Sequence, residues 1–238
     1  DINNCSNTTS ISINVNATPT VVINASQLAI CPNETATLTL SGASTYTWTD
    51  NSNATTYTVS PTSNTTYSVT GVDVNGCLGN SVVTITANPS PSISISASNS
   101  VICSGNTSTL TANGASTYTW TNGPTTSINS VSPITNTTYT VEGTDVNNCK
   151  NTSTVTITVN TTPTVSVSAT SNTICAGETV TLTANGASTY TWLPSSTSAS
   201  TTVVSPIVNT TYSLSGSSNG CFDDESISIV VNQLPSIS

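Results

Sequence analysis

The heptapeptide GASTYTW occurs three times at one constant spacing, at residues 42–48, 114–120 and 186–192. Within it, Thr alternates with Tyr and Trp, and this two-residue period is typical of a strand with one buried face. Repetition of so long a motif at a constant period is characteristic of tandem repeat proteins. The heptapeptide therefore predicts at least three similar β-rich units.

Cysteines and prolines keep the same period and predict the domain boundaries. One cysteine series is Cys31, Cys103 and Cys175, the second is Cys77, Cys149 and Cys221, and the prolines are Pro19, Pro91, Pro163 and Pro235. These markers delimit three repeats, at 19–90, 91–162 and 163–234. Residues 1–18 match the end of a repeat and are expected to be the last strand or strands of a preceding one. Residues 235–238 match the start of a following repeat, and the four prolines are expected to lie in short linkers that restrict inter-domain swing.

The composition excludes several classes of function. The chain has ten carboxylates, one Lys, no Arg and no His, with a net charge of −9. Nucleic-acid binding is excluded because affinity for the phosphate backbone comes mainly from Lys and Arg. Acid–base and nucleophilic catalysis commonly use His or Lys, and the chain has no His and a single Lys. We therefore predict that the protein is not an enzyme and has no catalytic residues. The sequence contains no apolar run long enough to span a membrane as a helix.

Alternation of Thr or Ser with apolar residues indicates an all-β fold. In the second repeat, strands are predicted at 92–98, 108–114, 116–120, 128–133, 137–145 and 153–160. Six or seven short strands in a repeat of this length predict tandem immunoglobulin-like antiparallel β-sandwiches in an elongated array. Each repeat has few large side chains, so its aromatic residues are expected in the core. These are Trp48, Trp120, Trp192, Tyr67, Tyr139 and Tyr212.

A domain of this size often needs a covalent staple, and the cysteines offer one. The simplest of the 15 connectivities open to six cysteines pairs the two cysteines of each repeat with each other. The expected bonds are Cys31–Cys77, Cys103–Cys149 and Cys175–Cys221. Zinc is a competing interpretation, but the sequence has neither a CxxC pair nor His. Cys5 is left over, and is expected to pair with a preceding unit or neighbouring subunit, or to be unpaired.

A longer pattern carries a resemblance to a known family. It comprises CSGNTSTLTANGASTYTW at 103–120, VSP at 131–133 and TTY at 137–139, with counterparts in the other repeats. The pattern resembles the Ig-like or PKD-like tandem repeats of large Bacteroidota cell-surface adhesins, of the gliding-motility-associated, type IX secreted kind. This resemblance covers all three repeats. It implies a secreted β-sandwich array at the cell surface, with no catalytic residues.

The sequence offers two candidate kinds of binding site, one for calcium and one for sugar rings. Asp73, Asp145, Glu34 and Glu178 are candidate calcium ligands, but each type is missing from one repeat, so the expectation is no metal and no cofactor. Asp223, Asp224 and Glu225 are interpreted as a solvated turn. Exposed Tyr and Trp in the GASTYTW strand would stack on sugar rings, although core packing is favoured.

The leading functional hypothesis is a non-catalytic structural protein. Its repeats would join end to end, with neighbouring repeats or further copies as partners, to form the shaft of an extracellular filament or giant surface adhesin. The alternative is a multivalent module that binds carbohydrate or a host surface, with weak sites repeated along the chain. The cysteine usage favours an oxidising, extracellular location at the cell surface.

Overall fold

A computed structural model of the chain describes residue 2 and residues 6–233. These residues form 21 strands, seven in each repeat, and the described part contains no helix able to span a membrane. The first seven are β1 (Val22–Ala25), β2 (Ala29–Ile30), β3 (Ala36–Ser41), β4 (Thr45–Trp48), β5 (Thr56–Val59), β6 (Thr65–Val72) and β7 (Leu78–Ala87).

The other two sets follow the same order. The second is β8 (Ser94–Ala97), β9 (Val101–Cys103), β10 (Ser108–Asn113), β11 (Thr117–Trp120), β12 (Ile128–Val131), β13 (Thr137–Thr144) and β14 (Lys150–Asn160). The third is β15 (Ser166–Ala169), β16 (Thr173–Cys175), β17 (Val180–Asn185), β18 (Thr189–Leu193), β19 (Thr201–Val204), β20 (Thr210–Ser218) and β21 (Cys221–Asn232).

Each set forms two sheets with one topology. The first, third and fifth strands make a three-stranded sheet, and the second, seventh, sixth and fourth make a four-stranded sheet in that order. The second strand pairs with the seventh in parallel, whereas the three-stranded sheets are antiparallel. This arrangement confirms the expected all-β fold of tandem immunoglobulin-like domains.

Three hydrophobic clusters, one per repeat, fill these domains. Alternate residues of the third strand point inward, as in β3, where Ala36, Leu38 and Leu40 are buried. Each cluster includes the Trp of its GASTYTW motif, at most 2% exposed. The two-residue period of the sequence therefore corresponds to a real buried face.

The first residue of GASTYTW is a glycine that packs closely against the backbone at the start of its domain. Gly42 and Gly186 have φ of +94° and +96°, values that side chains rarely adopt. A Cβ there would also overlap the carbonyl oxygen of Thr20 or Thr164, which follow the linker prolines. Only glycine meets both constraints, which explains why the motif starts with it.

Residues 6–20 have no regular secondary structure. Ile11, Ile13 and Val15 are more than 80% exposed, although Ile13 corresponds by the repeat period to Ile85, which is fully buried in β7. The assignment of residues 1–18 to a preceding repeat stays a prediction, and residues 235–238 lie outside the described residues.

Candidate functional site

Two disulfides link cysteines of successive repeats. Cys31 bonds to Cys149 and Cys103 bonds to Cys221, each pair separated by 118 residues, with Cα atoms 5.3 and 5.6 Å apart. The pairing expected within each repeat is therefore wrong. The physical reason is that the two cysteines of one repeat lie on different loops, and the loops of Cys31 and Cys103 each meet the later cysteine of the next repeat instead.

The described chain divides into two compact units, and each contains one of these bonds. Residues 114–116 and 143–151 of the second repeat belong to one unit with residues up to 92. The other unit comprises 93–113, 117–142 and the residues from 152 onward. The loop that carries Cys149 thus packs with the first repeat, in agreement with its bond to Cys31.

The earlier cysteine of each repeat lies where the second strand ends in a turn. The Cys31 amide donates to Glu34 Oε2 (2.9 Å), and the Glu34 amide donates back to the Cys31 carbonyl (3.1 Å). In the second repeat, Asn106 replaces the glutamate, and its amide still donates to the Cys103 carbonyl (2.9 Å). The turn therefore holds the cysteine in place with or without the carboxylate.

The later cysteine is presented by the connection between the sixth and seventh strands. In the second repeat this is a loop, 145–149, in which Asp145 Oδ1 accepts from the amides of Asn147 (2.8 Å) and Cys149 (2.9 Å). Such short side chains stabilise turns by replacing a backbone acceptor. Cys149 is fully buried, so its position is set both by the loop and by what covers it.

The third repeat presents Cys221 differently. Ser218 pairs directly with Cys221 across a two-residue hairpin, Asn219-Gly220, with φ of +52° and +79°. Two positive φ values are characteristic of the type I′ turn, for which Asn-Gly is the preferred sequence. Cys221 is also fully buried.

Polar contacts accompany the bonds. Asn160 Nδ2 donates to the Asn219 carbonyl (2.9 Å), and Cys221 Sγ lies 3.9 Å from the Asn160 carbonyl oxygen. Beside the other bond, a cavity of about 310 Å³ is lined by Gln27, Ala29, Cys31, Glu34, Asn88, Asn147 and Asn148. Each bond thus sits in a polar setting built largely from amides.

Two cysteines among the described residues carry free thiols. Cys77 is partly exposed and Cys175 is exposed, so the predicted bonds to Cys31 and Cys221 are replaced by the inter-repeat pairs. Cys5, expected to pair outside the three repeats or to be free, lies outside the described residues.

The candidate calcium ligands act within their own turns. Asp73 and Asp145 accept loop amides, and Glu178, like Glu34, accepts the amide of its cysteine. Among the described residues, no group of three or more His, Cys, Asp or Glu side chains could hold a metal ion.

Residues 79, 151 and 223 are equivalent by the repeat period, and each lies against the backbone at the start of its own repeat. Asn151 Nδ2 donates to the Pro91 carbonyl (2.9 Å), and Asp223 Oδ2 accepts from the Val165 amide (2.8 Å). At Gly79 a Cβ would overlap the Pro19 carbonyl oxygen, so there the linker backbone takes the space. The interpretation of Asp223, Asp224 and Glu225 as a solvated turn is wrong, because all three lie in β21 and pair with residues of β20. Pro163 is half-buried, and Pro235 lies outside the described residues.

The Trp and Tyr side chains that the sequence places in the core belong to, or pack against, the hydrophobic clusters of the domains. Each indole Nε1 donates to a backbone carbonyl, Ala54, Thr126 or Ala199, at 2.9 to 3.0 Å. Because Trp48, Trp120 and Trp192 are buried, none offers a ring face to a sugar. Tyr67 and Tyr139 are half-buried against their cores, and Tyr212 is buried.

Local environment shifts the pKa of a few groups. Burial raises the pKa of Tyr67 and Tyr212 above the usual value. In the first repeat, the Ser52 backbone amide lowers the pKa of Asp50, and the hydrogen bond to Asp50 (2.8 Å) raises the pKa of Tyr57. These tyrosines belong to the hydrophobic clusters and not to the cysteine loops.

Comparison with known proteins shows similarity at low identity only. No family model matches the chain, and no curated protein matches it. Among solved structures, a mutated variant of titin domains I67–I69 has a TM-score of 0.47 and 12% identity, with 92% of this chain and all of that chain covered. A Ca²⁺-stabilized adhesin with which an Antarctic bacterium binds ice has a TM-score of 0.39 and 17% identity, with 92% and 75% covered.

Proposed function

We propose that the chain is a non-catalytic, load-bearing segment of the shaft of an extracellular filament or large surface adhesin. The observation that carries this proposal is the pair of inter-repeat disulfides, Cys31–Cys149 and Cys103–Cys221. A bond within a domain stabilises that domain alone, whereas a bond between domains adds a second covalent connection from one repeat to the next. Stable disulfides are typical of extracellular compartments, in keeping with a location at the cell surface.

The bonds shorten the covalent path along which force would travel. Without them, a path from Cys31 to Cys221 follows the whole backbone between these residues. The shortest path uses both disulfides and only the backbone between Cys103 and Cys149. At about 3.4 Å per extended residue, the two paths measure roughly 650 Å and roughly 160 Å. Even with every domain unfolded, the chain would stay short.

Single-molecule stretching tests this load-bearing role. The chain is pulled from residues outside Cys31 and Cys221, first oxidised and then after reduction. We expect a maximal length between the two cysteines that corresponds to the Cys103–Cys149 segment alone, rising to the full backbone between Cys31 and Cys221 after reduction.

Variants that lack one bond provide the internal control. Removal of either bond alone, by Cys→Ser at both of its ends, leaves one backbone stretch in the path, either Cys149–Cys221 or Cys31–Cys103. These two stretches are equally long by the repeat period, so the two single-bond variants should match. Equal lengths before and after reduction of the parent chain would contradict the proposal.

Electron microscopy of native material tests the filament itself. We expect filaments or long surface fibres that react with an antibody raised against residues 19–234. Detection of the protein only as a dispersed, unattached species would contradict a shaft role. A secreted Bacteroidota adhesin is the specific setting that the repeat pattern favours, and identification of the whole native protein by mass spectrometry tests it.

A further inference from the structure

The free thiol of Cys175 is displayed by the same turn as the bonded Cys31. The Cys175 amide donates to Glu178 Oε2 (2.8 Å), and the Glu178 amide donates to the Cys175 carbonyl (3.0 Å). The preceding strand β16 pairs in parallel with β21, with Cys175 opposite Asn232, just as Cys103 lies opposite Asn160. Cys175 therefore sits in a turn already built for a bond that it does not make within the described residues.

The free thiol of Cys77 is likewise displayed by the same loop as the bonded Cys149. Asp73 Oδ1 accepts from the amides of Asn75 and Cys77, both at 2.8 Å. Asp145 makes the corresponding contacts with Asn147 and Cys149. The same loop is thus present twice, once with its cysteine bonded and once without.

Burial distinguishes the bonded from the free members of each series. In the later series, Cys149 and Cys221 are fully buried, whereas Cys77 is partly exposed. In the earlier series, Cys31 and Cys103 are partly exposed, whereas Cys175 is exposed. The difference lies in the covering partner, because the Cys77 loop has the same contacts as the Cys149 loop, and the Cys175 turn has the same contacts as the Cys31 turn. Cys31 and Cys149, the counterparts of Cys175 and Cys77, are bonded to each other. The turn and the loop that present the two free thiols are therefore of the kinds that already join as disulfide partners in this molecule.

We propose that Cys175 of one copy of this chain and Cys77 of a second copy form a third disulfide of the same kind. The rule set by the two existing bonds joins the earlier cysteine of one repeat to the later cysteine of the next. A second copy placed after the third repeat supplies that later cysteine on a complementary loop. This inference rests on the proposed function, and it would make the copies one covalent, head-to-tail polymer.

The bond forms by thiol–disulfide exchange. A disulfide oxidant such as oxidised glutathione is attacked by one thiolate, and the second thiolate then displaces the glutathione thiol from the mixed disulfide. The two cysteines together lose two protons and two electrons, and one oxidised glutathione becomes two reduced molecules. Exposure of both thiols allows this attack.

The test uses the full chain with Cys5→Ser, so that cross-links report on Cys77 and Cys175. In a glutathione redox buffer, we expect a ladder of head-to-tail oligomers on non-reducing electrophoresis. Added Cys77→Ser or Cys175→Ser should each abolish the ladder. A mixture of those two variants should give a dimer and nothing larger, with a Cys77–Cys175 cross-linked peptide by mass spectrometry.

Two outcomes overturn the proposal. One is the absence of oligomers, and the other is that like cysteines cross-link as readily as unlike ones, which is how randomly exposed thiols behave. Asp73→Ala adds a matched control, since it weakens the loop and leaves Cys77 in the chain, so the cross-linking rate should fall severalfold. The stretching experiment depends only on the two existing bonds, so the proposed function and this inference fail separately.

Discussion

The second and third repeats present the later cysteine on different turns. Cys149 follows a loop organised by the Asp145 carboxylate, whereas Cys221 follows the tight Asn219-Gly220 hairpin. Both cysteines are fully buried and both reach a cysteine of the preceding repeat. The bond position is therefore retained while the local chemistry that supports it changes. The loop before Cys149 is stabilised by a side-chain acceptor for its backbone amides, whereas the hairpin before Cys221 depends on residues that tolerate positive φ.

The largest expected effect tests whether the two bonds are equivalent. Each closes a span of 118 residues, worth about 5 kcal/mol in the chain-entropy model. Replacing either pair by Ser should lower the free energy of unfolding by similar amounts in urea titrations. Because the two spans overlap between residues 103 and 149, the double removal should not equal the sum. Cys77→Ser is the control and should cost little, and a large inequality between the bonds would refute their equivalence.

Asp145→Ala should weaken only the loop-supported bond. The substitution removes an acceptor from two backbone amides, a loss of about 1 kcal/mol. We expect dithiothreitol to reduce Cys31–Cys149 about fivefold faster, with Cys103–Cys221 in the same molecule as internal control. Asp145→Asn retains an acceptor oxygen and should lie near the parent rate. An equal acceleration of both bonds would show that Asp145 acts beyond its loop.

Gly220→Ala should weaken only the hairpin-supported bond. The site has open space around it, so the cost comes from φ of +79° alone, about 1 kcal/mol. Reduction of Cys103–Cys221 should accelerate, measured as above, whereas Cys31–Cys149 should not change. Gly220→Asn is the matched control, with a smaller effect because Asn tolerates positive φ. An alanine variant that behaves like the parent would mean that the hairpin does not position Cys221.

The smallest expected effect concerns the interior of the third repeat. Burial raises the pKa of Tyr212 above its ordinary 10.0, so the folded state favours the neutral phenol hydroxyl over the phenolate. This contribution is fully present below pH 10 and is lost as the pH rises through the ordinary and then the raised pKa. Urea midpoints should fall in that alkaline window, and Tyr212→Phe should reduce the fall. An unchanged slope in the variant would assign the loss to other groups.

Much of the fold follows from the sequence, because its period-2 alternation marks a buried face in nearly every strand. The exception in the second repeat is β9, which has three residues and pairs in parallel with β14, so alternation gives too little signal to detect it. The cysteine pairing has a different cause. In a chain with so strict a period, partners within one repeat and partners in successive repeats recur equally well, and only the fold distinguishes them. Asn151 and Asp223 were missed because the contact depends on strand register, which composition does not reveal.

The two disulfide spans overlap, since Cys103 precedes Cys149. Any single peptide bond between Cys31 and Cys221 is consequently enclosed by at least one of them. Hydrolysis there, for example beside Lys150, where trypsin-like proteases cut, leaves both fragments in one covalent molecule. The crossed bonds thus give the chain tolerance to a first nick at every position between Cys31 and Cys221, and separation of the fragments requires reduction or a second cut.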